Sequence, residues 1–123
     1  MLNLTLNTVL KINTVVGCAY AGNCIVMPAK YLKDHGVGFT KNTTYVMHNL
    51  VGGIIGMTAM TYQAAFKGGD ELAASYASIA VFTWWNLTSL RRVFLEKAKV
   101  VGPKINFAIS GAMLGLYALA LAN

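Results

Sequence analysis

The chain has 123 residues, of which 56% are hydrophobic and 11% charged, with a mean hydropathy of +0.54. Soluble domains carry about 25% charged residues, so there is too little charge here to coat a water-facing surface. Ten basic residues against four acidic ones give a formal charge of +6. The bases fall between apolar runs rather than along one polar face, which favours topogenic loops over polyanion recognition.

The first apolar run is Leu4 to Met27, closed by Pro28, which cannot continue a helix. Asn7, Lys11 and Asn13 make its first half too polar for full immersion in hydrocarbon, so that half is expected at the interface or against a partner. Cys18 and Cys24 share this run. On a helix they stand about 9 Å apart along the axis at roughly 1.5 Å per residue, beyond the reach of a disulfide, and they are expected as free, buried thiols.

A basic connection with Lys30, Lys33 and Lys41 leads to the second run, Tyr45 to Phe66, which contains no Asp, Glu, Lys or Arg. Gly68-Gly69 predicts a turn. Asp70-Glu71 then place acids where the macrodipole of a following helix favours them. The third run is Leu72 to about Phe94, and Gly102-Pro103 opens the fourth, Ile105 to Ala122, with proline at a permitted first-turn position.

Runs of about 18 to 24 residues match the roughly 20 needed to cross a hydrocarbon core. The predicted fold class is therefore all-α: one domain, residues 1–123, forming an integral membrane bundle of four transmembrane helices with short loops. In that layout both termini and the central turn share one side. The first and third connections share the other, and their eight bases place them in the cytosol, matrix or stroma. The N-terminal segment has neither the basic region of a secretory signal nor the Arg- and Ser-rich character of a transit peptide.

Gly52 and Gly56 form a GxxxG pattern in the second run, with Gly53 alongside, and Gly111 and Gly115 form another in the fourth. Such faces let helices approach closely in lipid. They are expected to pack the bundle internally, with docking on a larger partner as the alternative. No acid falls within a span, which argues against proton-coupled transport, and neither a metal-ligand cluster nor a nucleophile triad has recognisable spacing. No catalytic role and no metal site are expected.

His48 is the histidine expected within or near the membrane and is the candidate axial ligand for a chlorophyll, with Asn49, Gln63 and Asn86 as weaker candidates. His35 is placed in the basic loop, so a haem held by two histidines is poorly supported. Trp84 and Trp85 precede Arg91-Arg92 and read as an aromatic belt, or as a pigment or quinone wall. Arg91, Arg92, Lys97 and Lys99 are candidates for holding lipid headgroups.

The segments "IVMPAKYLKDHGVGF" and "NLVGGIIGM", with the short turn into the third run, resemble the DoxX-like group of small four-helix membrane proteins. In size and plainness the chain also resembles accessory subunits of photosynthetic and respiratory complexes. The resemblance implies a non-catalytic subunit of a photosystem supercomplex in a thylakoid membrane, in contact with other subunits, structural lipids and chlorophyll. The alternatives are a subunit of a respiratory complex in the mitochondrial inner membrane, a stand-alone DoxX-like quinone-associated protein, and a small carrier or channel.

Overall fold

The computed structural model describes residues 3–123; Met1 and Leu2 of the N-terminal segment lie outside the described residues. All regular structure among those residues is helical: α1 (Leu6–Val26), α2 (Pro28–Asp34), α3 (Lys41–Phe66), α4 (Glu71–Leu90), a π-helical turn (Arg91–Leu95) and α5 (Val101–Ala122).

The punctuation of the sequence sets most of these boundaries. Thr5 caps α1 by accepting from the Thr8 amide at 3.2 Å. Pro28 lacks an N–H and crowds the residue before it, so Met27 leaves helical geometry and Pro28 becomes the first residue of α2. Helix α3 begins a full turn before the apolar run because Thr40 and Thr43 form a reciprocal capping box (3.1 and 2.8 Å). It ends at Phe66, and Gly68, two residues on, turns the chain with a φ of +74°, in the left-handed region that glycine enters without a steric penalty. The Asp70 carboxylate then caps α4 by accepting from the Ala73 amide at 2.9 Å.

The long helices alternate in direction. At one end the Asn7 amide donates to the Ala65 carbonyl (3.0 Å) and to Glu71 (2.8 Å), and the Asn123 amide donates to the Leu4 carbonyl (3.3 Å). These bonds gather the N-terminal region, the α3–α4 turn and the C-terminus. At the other end Arg92 reaches the His35 carbonyl at 3.4 Å, joining the first connection to the third. The expected antiparallel layout is thus present. Lys30, Lys33, Lys41, Arg91, Arg92, Lys97, Lys99 and Lys104 stand at or near this second end, opposed by Asp34 and Glu96.

Within the bundle α1 packs mainly on α3 and α4 mainly on α5, while α3 and α4 touch each other sparingly. The α1–α3 contact is tight because Gly17 lets the backbones close. A Cβ at that position would overlap Thr58 Oγ1 and come within 3.1 Å of its Cβ. One core cluster, built on Val9, Leu10, Phe82, Met113 and Tyr117, fills the end that holds the termini. The second, with Ala21, Cys24, Leu32, Met47, Val51 and Ile54, fills the basic end. Close packing of these side chains contributes many small dispersion contacts.

Small polar residues share the interior. Thr14, Thr61, Ser75, Ser78, Ser89 and Ser110 are buried, as is Asn13. Thr14 and Thr61 meet hydroxyl to hydroxyl at 3.0 Å, and the Asn13 amide donates to the Tyr117 hydroxyl at 2.7 Å. The first half of α1 is therefore held inside the bundle by its polar groups. Both cysteines are free, as the spacing requires; Cys24 is buried, but Cys18 is exposed on the outer face of α1, contrary to expectation.

Two helices, α1 and α5, are long and apolar enough to cross a membrane, with mean hydropathies of 1.4 and 1.8 over their best stretches. Only 22% of that stretch of α5 is buried, so most of its apolar surface faces outward. Helices α3 and α4 are of similar length, but their Asn, Ser, Thr, Tyr and Trp residues dilute their hydropathy.

Candidate functional site

The residues singled out from the sequence are not gathered at one place. His48 is exposed on the outer face of α3, Gln63 is exposed just over four turns further along, and Asn86 is half-buried between α4 and α5. Asn86 is engaged in holding those helices together: its amide donates to the Phe107 carbonyl at 3.2 Å and to Ser110 Oγ at 3.1 Å. Asn49, also exposed, turns its amide back to the Tyr45 carbonyl of its own helix.

The glycine patterns require a correction. A Cβ added at Gly52, Gly53, Gly56 or Gly115 would meet no described atom within 4 Å, and at Gly111 only the Asn86 amide nitrogen at 3.5 Å. None of these glycines permits a close helix contact inside the bundle; Gly17 and Gly102 do. The reason is geometric. An outward-facing and an inward-facing GxxxG have the same spacing, and α3 and α5 carry apolar residues all round, so hydropathy does not orient them.

On α3 the outward positions fall in register. His48, Gly52 and Gly56 are separated by four residues each and form one stripe along the helix. On α5 the exposed small residues Ala108, Gly111, Ala112 and Gly115 form a second outward stripe.

At the basic end the π-helical turn widens the chain after α4, and Arg92 spans two partners there. It donates to Glu96 at 2.7 Å as well as to the His35 carbonyl. Arg91 shares the same acid at 3.1 Å. Hydrogen bonding to Arg92 foremost, with the charges of both guanidiniums, holds the Glu96 carboxyl below its usual range. Lys97, which takes a left-handed φ of 50°, and Lys99 are exposed and form no ion pair among the described residues. Of the predicted headgroup cations, the two lysines are free and the two arginines are tied to Glu96.

His35 lies in the basic connection, as the sequence suggests, but what the sequence does not reveal is that its ring is engaged inside the protein. It caps the end of α2 and turns inward, stacking on Tyr31 with ring centroids 4.3 Å apart. Its Nδ1 lies 2.9 Å from the Tyr31 carbonyl and its Nε2 3.1 Å from the Asn106 amide nitrogen. The Tyr20 hydroxyl donates to Asn106 Oδ1 at 2.6 Å. The network assigns the ring proton to Nδ1, with Nε2 accepting from Asn106. The approach depends on Gly102: a Cβ there would lie 2.6 Å from the Asp34 carbonyl oxygen and 2.7 Å from the His35 ring. The Gly102-Pro103 pair, legible as a helix start, was the one sequence signal of this contact.

Tyr20, Tyr31, His35 and Asn106 form one wall of a cavity of about 570 Å³ between α3 and α4. Val46, Met47, Leu50 and Ile54 of α3 form another, and Trp84, Trp85 and Ser89 of α4 face them. A second, apolar space of about 440 Å³ shares Leu50, Ile54, Trp84 and Trp85 with it and runs on past Gly53, Met57, Ala80 and Val81. The loose α3–α4 contact is thus a cleft with a polar head and an apolar stem. Burial, with lesser contributions from Cys24 and Tyr20, pushes the Tyr31 phenol above its usual pKa, so it stands as a neutral hydroxyl at the head of the cleft. Among the described residues, no group of three or more His, Cys, Asp or Glu is placed to hold a metal ion.

Comparison with protein-family models, curated proteins and solved structures found no match to this chain.

Proposed function

We propose that this chain is an integral membrane protein whose four long helices all cross the bilayer, and that it serves as a non-catalytic accessory subunit of a larger energy-transducing complex. The membrane part rests on how polarity is distributed. Ser75, Ser78, Ser110, Thr14, Thr61 and Asn13 are buried and hydrogen-bonded inside, while Val15, Ile25, Leu50, Ile55, Leu87, Ile105 and Leu119 are exposed. Water would penalise that arrangement, whereas hydrocarbon favours it. The basic end faces the cytosol, stroma or matrix by the distribution of its lysines and arginines.

The single observation that carries the subunit reading is the outward stripe His48, Gly52, Gly56 on α3. A flat, small-residue helix face gains dispersion contacts when another helix or a rigid ring lies against it. His48 at its head supplies an exposed imidazole, suited to the fifth coordination position of a chlorophyll magnesium. A photosystem supercomplex in a thylakoid membrane is accordingly the assembly proposed, with Lys97 and Lys99 available for anionic headgroups.

Native electrophoresis of gently solubilised membranes tests both parts. Gly52→Leu or Gly56→Leu should release the chain from the large complex without unfolding it, since neither added side chain meets the bundle. His48→Leu should lower the chlorophyll content of the band. Unchanged co-migration of both glycine variants would count against the docking face, and unchanged pigment would remove His48 as a ligand.

A further inference from the structure

We infer that the cleft between α3 and α4 is a binding site for an uncharged amphiphile with a planar, carbonyl-bearing ring and a long apolar tail, the chemistry of an isoprenoid quinone. This inference is independent of the docking stripe, which lies on other faces of α3.

The head of the cleft selects against charge. Its lining includes no Asp, Glu, Lys or Arg, although the basic end of the molecule surrounds it. A phosphate or carboxylate would enter without a counter-ion and lose its hydration, at a cost neutral hydrogen bonds do not offset. What the head does offer is donors. Ser89, Trp85 and Asn42 line the space, and each carries a side-chain donor that makes no hydrogen bond among the described residues. Ser89 is exceptional here. Ser75, Ser78 and Ser110 all return their hydroxyls to the carbonyl four residues earlier, while Ser89, equally buried in its helix, does not. Donors awaiting acceptors suit carbonyl oxygens.

The walls select for a ring. Tyr20 and Trp85 pack with centroids 5.6 Å apart, and Phe82 braces Trp85 edge-on at 5.7 Å, so the indole is held in place from behind. Aromatic faces favour an offset planar partner. The stem selects for a single chain: beyond the head the cleft continues between α3 and α4 over Gly53 and Ala80, with apolar lining throughout. Its volume of about 440 Å³ suits one flexible tail better than the paired acyl chains of a glycerolipid.

The protein contains two tryptophans, Trp84 and Trp85, and both line the cleft. Intrinsic fluorescence therefore reports occupancy directly. The full-length chain in dodecyl maltoside is titrated with decyl-benzoquinone, and in a parallel series with phosphatidylcholine brominated on its acyl chains. Saturable quenching by the quinone is expected, with brominated lipid failing to displace it. Ser89→Ala should raise the midpoint about five- to tenfold by removing a donor. Gly53→Leu should raise it at least as much by filling the stem, and its Cβ meets nothing else. Circular dichroism confirms that both variants keep their helices. Quenching that rises linearly with quinone and is the same in all three proteins would overturn the site. Saturable quenching by the brominated lipid, with loss of the quinone effect, would overturn the ligand class and make the cleft a glycerolipid site.

Discussion

Gly17 of α1 lies against Thr58 of α3 so closely that a single added carbon at Gly17 would overlap the threonine hydroxyl. Thr58 cannot easily yield, because its hydroxyl donates to the Ile54 carbonyl at 2.7 Å. Overpacking of this kind costs typically 1–3 kcal/mol. Gly17→Ala should therefore lower the melting temperature in detergent, while Gly52→Ala, facing outward, should leave it unchanged or raise it slightly through better helix propensity. Equal melting temperatures for Gly17→Ala and the parent would mean that the two helices do not approach as described.

The chain of bonds from Tyr20 through Asn106 to His35 ties α1, α5 and the end of α2 together. Asn106→Leu leaves the Tyr20 hydroxyl and one His35 nitrogen without partners, and a buried orphan costs about 1–3 kcal/mol. Tyr20→Phe removes only one donor and should cost less, about 0.5–1.5 kcal/mol. Hydrogen exchange read by mass spectrometry should show α2 opening faster in Asn106→Leu than in Tyr20→Phe. The reverse order would break the proposed hierarchy.

Asn13 carries the one buried side-chain atom, Oδ1, that lacks a hydrogen-bond partner among the described residues. Its amide nitrogen meets Tyr117, so Asn13→Leu alone strands the tyrosine hydroxyl unless Ser78 satisfies it. The double variant Asn13→Leu/Tyr117→Phe removes both polar groups and should be at least as stable as Asn13→Leu alone. On the proposed membrane reading, a double-mutant cycle on melting is expected to give a coupling of about 0.6 kcal/mol, the average for hydrogen bonds between membrane helices. Simple additivity would show that the two groups do not interact.

Glu96 sits in the connection after the π turn, and its carboxyl is held below its usual range by Arg92 and then Arg91. A carboxyl whose pKa is depressed by folding contributes stability above its unfolded value of about 4.3. That contribution is lost as pH falls through the lower folded value. Between pH 7 and pH 3 the melting temperature should fall more in the parent than in Glu96→Gln. The difference should shrink with added salt because the group is exposed. Parallel pH profiles at low salt would show that the pairing adds nothing to stability.

Sidedness has its own check. A cysteine at Lys99 in a Cys18→Ser background should be labelled only from the side facing the cytosol, stroma or matrix, in sealed vesicles of known orientation. Labelling from the opposite side would reverse the topology.

Chain punctuation was well expressed in the sequence, and surfaces were not. Pro28, Gly68-Gly69, Asp70 and Gly102-Pro103 mark helix boundaries because each acts on its own backbone, and the helices begin or end within a few residues of them. The short α2 went unread because seven residues are too few to show a period. The π turn, closed by the Glu96 amide on the Arg91 carbonyl, has no residue pattern that marks it. His35 is a loop residue as read, but its inward turn is set by Gly102, far along the chain, and so left no local signal. The outward direction of Gly52 and Gly56 was equally hidden, since helices apolar on every side give no signal of which face meets a neighbour.

Helices α1 and α3 pack most closely with each other, as do α4 and α5, and the Gly68-Gly69 turn links the two pairs. On the proposed membrane reading, each pair is a helical hairpin whose basic connection stays on the same side of the bilayer. Such a chain can be threaded into a membrane as two successive hairpins, each satisfying its own backbone before the other arrives. Biogenesis then requires no long-range step until the hairpins close on one another, and that last closure is what forms the cleft.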